Sequence, residues 1–185
     1  MSFTLGGKSA VQLGIIMLRS SVRPVLPATS DRTLAIPGRP GLRDFGADLG
    51  ARQFVLECGF IERDRFALEQ RLIELAAHLV DSYGRPRELE LTLDTRPGQS
   101  FTVRYAGTLT PERIYGTGTL SLPLTAFDPF ARGPEQIEEV MITDSPTIVN
   151  LLSRGNIRTQ PVVILTNTGS TTLTEFRITN EYLLE

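Results

Sequence analysis

Period-two alternation marks the strands of this chain. From Arg52 to Glu62, Phe54, Leu56, Cys58 and Phe60 fall on one face while Gln53, Glu57 and Arg63 fall on the other. The same period returns in Leu89, Leu91 and Leu93, which turns Glu88, Glu90, Thr92 and Asp94 the opposite way. Thr95-Arg96-Pro97-Gly98-Gln99 then reads as a turn, and Phe101, Val103, Tyr105 and Gly107 as the return strand of an antiparallel hairpin carrying Arg104 on its polar side. Tyr115 to Phe127 supplies a third strand with Leu120, Leu122 and Leu124 inward, and Pro123 within it predicts an edge position or a bulge. Gly14 to Leu26 reads as a further strand that runs into the proline-punctuated Arg23-Pro24-Val25-Leu26-Pro27.

One segment switches to a period of 3.6. Asp64 is a cap for a helix running to about Tyr83, where Gly84 and Pro86 end it. Phe66, Leu68, Leu72, Ile73, Leu75, Ala76, Leu79 and Val80 cover a continuous half-circle of that helix, wider than one sheet contact requires. The helix therefore lies in a deep groove or offers one apolar edge to a second chain. Arg71, Glu74 and His78 lie opposite, so His78 is expected to be solvated and paired with Glu74.

Two stretches follow neither period. Ala28 to Ala51 is rich in Gly, Pro, Asp and Arg around Pro37-Gly38-Arg39-Pro40-Gly41, and reads as a long functional loop. Asp128-Pro129-Phe130 breaks the strand pattern, and the polar, acidic segment up to Glu139 reads as a boundary between residues 1–133 and a second domain, 134–185. Short β-rich runs follow at 140–143, 147–152, 160–165 and 173–178, spaced as in a β-sandwich; about 50 residues are too few for a complete one, which needs roughly 100. The fold class is therefore mainly β with one packed helix.

Composition narrows the chemistry. The 185 residues are 41% hydrophobic with a net charge of −2, enough apolar content for a packed core and no bias toward nucleic acid. The lone cysteine and lone histidine exclude a disulfide framework and multi-histidine or cysteine metal centres, and no apolar run approaches a membrane span. Gly6-Gly7-Lys8-Ser9 is not a phosphate loop: Ser2 stands where the first glycine belongs, and no chain is left for the preceding strand. Gly116-Thr117-Gly118 lacks the third glycine and the helix of a dinucleotide site, and reads as a strand bend. The pairs Glu88/Glu90 and Asp44/Asp48 lack an apolar setting for acid–base work, and no serine lies in a nucleophile elbow. No catalytic residue, cofactor or metal site is expected. Eighteen of the 19 basic residues are arginine; Arg39, Arg43 and Arg52 cluster in or beside the long loop, where a planar, weakly hydrated head suits contacts buried on assembly.

In order and spacing the chain resembles the distal tail proteins of long, non-contractile-tailed bacteriophages. The matching residues are Arg32 to Gly41 with Asp44-Phe45-Gly46, then Phe127-Asp128-Pro129-Phe130-Ala131, and more loosely Asn167-Thr168-Gly169 after Pro161-Val162-Val163-Ile164. The resemblance implies an amino-terminal tail-tube-like β-sandwich with a helix, assembled into a hexameric ring, and a carboxy-terminal sandwich similar to galectins or carbohydrate modules, here incomplete. It also implies a structural virion protein, made in the host bacterial cytoplasm, that joins the tail-tube protein to a tail-tip hub protein and peripheral receptor-binding proteins, and through which DNA passes.

On that resemblance Pro37, Gly38, Arg39, Gly41, Arg43, Asp44 and Phe45, with Phe66 and Ile73 of the helix, are expected at a subunit interface. Glu88, Glu90 and Asp94 are expected either to line the lumen or to face bulk solvent, and Phe127, Asp128, Pro129 and Phe130 to form a rigid interdomain corner. The alternatives are a tail-tube protein, or a carbohydrate-binding module, for which a chain with no tryptophan and four tyrosines offers a poor stacking platform.

Overall fold

The computed structural model describes residues 2–114, 117–152 and 155–181. They divide into two units, Met1–Glu139 and Val140–Glu185. The first is built on one antiparallel sheet of β1 (Phe3–Leu5), β2 (Lys8–Ser9), β3 (Ile15–Met17), β6 (Arg52–Phe60), β7 (Glu88–Leu93), β8 (Ser100–Tyr105), β9 (Pro111–Ile114) and β10 (Thr117–Ala126). Their order is β2-β1-β7-β8-β10-β6-β3, with β9 also on β10. Between β3 and β6 the chain forms a separate two-stranded hairpin, β4 (Thr29–Ala35) and β5 (Leu42–Leu49).

Register follows side-chain parity, because residues paired across an antiparallel ladder share a face. Leu124, Leu122 and Leu120 face Phe54, Leu56 and Cys58; Leu91 faces Phe101 on one side and Leu5 on the other. All of these side chains are buried, and the sheet curls around the single core they form with Ile15, Met17, Leu75 and Leu79. Phe54 and Phe101 meet at its centre, ring centroids 5.1 Å apart. Cys58 is a core residue whose thiol burial, and then the charge of Glu57, push up to about 12.

Pro123 departs from expectation, since β10 is central: Pro123 pairs with Val55 of β6. Its missing N–H is tolerated because on the other side β9 pairs only as far as Leu120 and β8 begins at Leu124. The proline fills the gap where the ladder changes partner, and its carbonyl still accepts from Ala106 N–H at 3.2 Å. Gly118 lies on the same strand, where a Cβ would stand 2.6 Å from the Phe60 ring; Tyr115 and Gly116 lie outside the described residues.

The helix α1 spans Arg65–Leu79, and Asp64 caps it, its carboxylate accepting from Ala67 N–H at 2.9 Å. It ends one turn before the expected Tyr83, because Val80 is extended and bridges Pro86. The Gly6-Gly7 pair is the β1–β2 turn. A three-residue strand does precede it, but β2 rather than a helix follows, so no phosphate cradle forms. Short β1, β2 and β9 carry too few residues to show a period.

The second unit differs from its predicted pattern. Among its described residues, the runs at 140–143, 147–152, 160–165 and 173–178 form no strand, and apolar side chains such as Ile148, Val162 and Phe176 are exposed. Lone β-rich runs cannot satisfy their backbone groups or cover their apolar face without partner strands. Local turns do form: Asn167 accepts from Gly169 N–H at 2.9 Å and donates to the Thr171 carbonyl at 2.8 Å.

Candidate functional site

The long segment read as a loop is a β-hairpin arm. Pro37 and Gly38 occupy the centre of its terminal turn, Gly38 at φ +78° and Arg39 N–H bonded to the Ile36 carbonyl at 3.1 Å, which is type II geometry. β4 and β5 pair from Ala35↔Leu42 down to Thr29↔Leu49, with a bulge at Phe45 and Gly46 opposite Arg32. Gly46 adopts φ +97° there, and its N–H bonds the Asp44 carboxylate at 2.8 Å. At the root Gly50 N–H bonds the Ala28 carbonyl at 2.8 Å. Sequence reasoning missed these strands because neither alternates apolar with polar: every residue of both is exposed, including Leu34, Leu42, Phe45 and Leu49. The Pro37-Gly38 pair was the available signal.

Arg39 and Arg43 stand at the arm's tip with Pro40 and Gly41, lining a shallow hollow with Leu34, Ile36 and Leu42. Arg32 pairs with Asp48 across the root. The arm is thus a fully exposed ribbon of mixed apolar and polar side chains with a cationic end.

On α1, Leu68, Leu75 and Leu79 are buried while Phe66 is 83% and Ile73 62% exposed. The helix is rolled so that one edge of its wide apolar face meets the sheet and the other is left in solvent. This roll brings His78 inward rather than out: its Nε2 lies 2.9 Å from the Leu5 carbonyl, so it is not the solvated partner of Glu74. Glu74 is paired instead with Arg71, at 2.9 Å.

The three acidic residues expected in one row are divided. Glu88 and Glu90 are exposed on the outer face of β7, but Asp94 lies past the strand end, where its carboxylate accepts from Ser2 N–H at 2.7 Å. Arg104 is opposite Glu88 in register, yet its guanidinium lies over the Phe127 ring, 4.4 Å from the centroid. At the corner Asp128 accepts from Phe130 N–H at 3.2 Å and pairs with Arg132 at 3.4 Å. Arg132 then bridges to Ser100, laying the corner against the start of β8.

Among the described residues of the first unit, Arg52 is the buried charge. It occupies an inward position, two before Phe54, at 6% exposure. Burial, and then the charge of Arg96, hold its guanidinium below the ordinary value. Parity with Phe54 was the signal for its orientation; the depth of burial depended on the packing of the sheet end.

Among the described residues no cluster of His, Cys, Asp and Glu is arranged to hold a metal, and no helix is long and apolar enough to cross a membrane. No curated protein matches the chain. Its fold is similar to the crystal structure of the Dit protein of phage SPP1, described as a paradigm of the hub adsorption apparatus of phages infecting Gram-positive hosts, with TM-score 0.62 and 16% identity. The match covers 72% of this chain and 52% of that one, so this chain aligns with about half of the solved protein. The family model for the phage tail protein RIFT-related domain matches residues 8–126, most of the first unit. By that match the chain belongs to the phage tail proteins with a RIFT-related domain, and its fold is that of a siphophage distal tail protein.

Proposed function

We propose that this structural tail protein is the distal adaptor of a phage tail, forming a hexameric ring that joins the tail tube to the tail-tip hub and lets DNA through its lumen. The observation that carries the reading is the arm. A two-stranded hairpin alone in water is marginally stable, and this one exposes every residue of both strands. A neighbouring subunit that covers it supplies the missing burial, and Pro37 to Phe45 are the residues placed to make that contact. The exposed Phe66 and Ile73 give a second apolar surface for the same interface. Glu88 and Glu90 on an open strand face suit a lumen that repels phosphate. The corner at Phe127 to Phe130 leads to the second unit, whose β-rich runs are those of a peripheral β-sandwich.

The test is particle mass and symmetry. Six copies of a 20.4 kDa chain give a ring of about 122 kDa, visible by light scattering and negative-stain microscopy. Replacing residues 36–41 by a two-glycine turn should leave a folded monomer. A truncated arm with unchanged ring mass refutes the arm's role, and a monomeric full chain refutes the ring.

A further inference from the structure

The end of the sheet at the root of the arm brings two cations over one aromatic ring; Asp94 lines a hollow with Arg96, where its carboxylate accepts from Ser2 N–H. Arg52 follows the Gly50 root bond by two residues, and its Nε is buried with no hydrogen-bond partner. Its guanidinium lies 4.9 Å from the centre of the Phe101 ring, and that of Arg96 lies 6.0 Å from the same ring. Arg96 donates to the Pro24 carbonyl at 3.4 Å, and among the described residues neither arginine is in an ion pair. Arginine does not shed its proton in proteins, so both charges persist. An aromatic face offsets part of the desolvation cost of a buried charge, but not a second like charge beside it.

We propose that this corner is a carboxylate seat, filled on assembly by an Asp or Glu side chain from a second copy of the chain. The proposal rests on the ring reading above. A carboxylate fits because the guanidinium fork pairs with it bidentately, and because the chain carries 21 acidic residues against 19 basic ones. A second copy fits because the seat adjoins the root of the exposed arm, so a subunit that covers the arm also reaches Arg52 and Arg96. Nucleic-acid phosphate is disfavoured: backbone binding needs a track of cations on an open surface, and here a single pair closes the inward face of a sheet end.

The two states make opposite demands on Arg52, and the test uses that opposition. In the dilute monomer Arg52→Met removes an unpaired buried cation and should raise the melting temperature by a few degrees. In assembly it removes the ligand of the incoming carboxylate, and the concentration at which half the chains are in rings should rise about tenfold or more. Arg96→Met, at a half-exposed position, should weaken assembly in the same direction without lowering monomer stability. If Arg52→Met lowers the monomer melting temperature, Arg52 is a structural prop and the seat is overturned. Wild type and both variants assembling at one concentration overturn the seat while the ring stands. A wild type that stays monomeric overturns the ring and the seat with it. Assembly unchanged, with loss of binding to a short DNA duplex, makes phosphate the ligand and overturns the carboxylate.

Discussion

Replacing Phe66 and Ile73 together by glutamate separates the stability of the subunit from its assembly. Both side chains are largely in solvent, at 83% and 62% exposure, so the isolated chain gains little from them. Exposed helix positions change stability by about 0.5 kcal/mol or less, and a carboxylate at position 66, in the first turn of α1, is favoured by the helix dipole. The monomer should therefore unfold at nearly the wild-type denaturant midpoint. Burying a phenylalanine or isoleucine fully is worth about 1.5–3 kcal/mol, and most of that remains available here, so the pair would contribute roughly 3 kcal/mol to each contact of the proposed ring. That corresponds to a loss of about 150-fold in the association constant per contact. Light scattering across a dilution series reads it directly. A double variant that forms rings at the wild-type concentration shows that this helix edge faces solvent in the particle, and removes it from the interface.

Three further outcomes test the fold that carries these surfaces. Cys58 has a folded-state pKa of about 12 against an ordinary 9.0. The unfolded chain therefore releases this proton first, and stability falls as pH rises from 9 toward 12. Relative to Cys58→Ala, the wild type should lose about 1.4 kcal/mol per pH unit in that window, measured by denaturant titration; parallel pH profiles would contradict the assigned burial. Gly6→Ala should cost about 1–3 kcal/mol, because Gly6 has φ +55° and a Cβ there would lie 2.8 Å from Leu89 Cδ2 and 3.1 Å from His78 Nε2; a neutral effect would displace His78 from the Leu5 carbonyl. Asp64→Ala should cost about 1 kcal/mol through the lost cap on Ala67 N–H, seen as a lower thermal midpoint with helical circular dichroism otherwise retained.

Much of the sheet was legible residue by residue. The alternation at Phe54, Leu56 and Cys58, at Leu89, Leu91 and Leu93, and at Leu120, Leu122 and Leu124 names the buried face of each strand, and pairing then brings those faces together. The arm was not legible as strands, because a hairpin that buries nothing has no reason to alternate. Pro37-Gly38 marks its turn, but only the paired backbone shows that the flanking residues are extended. The acidic row was half legible: parity puts Glu88, Glu90 and Asp94 on one side, but β7 ends at Leu93 and Asp94 turns to Ser2.

Local chemistry thus determined where α1 begins and which residues line the core. These follow from nearest-neighbour geometry: the repeat of a strand or helix, and the donor needs of a helix start. Tertiary structure alone decided which edge of the apolar half-circle on α1 is used, so that His78 goes in and Phe66 and Ile73 stay out. It also decided that Arg52 lies buried beside Arg96 on Phe101 with its Nε unpartnered. Both outcomes depend on how far the sheet curls and what crosses its end. Contacts between residues distant in the chain set those quantities, and no local period encodes them.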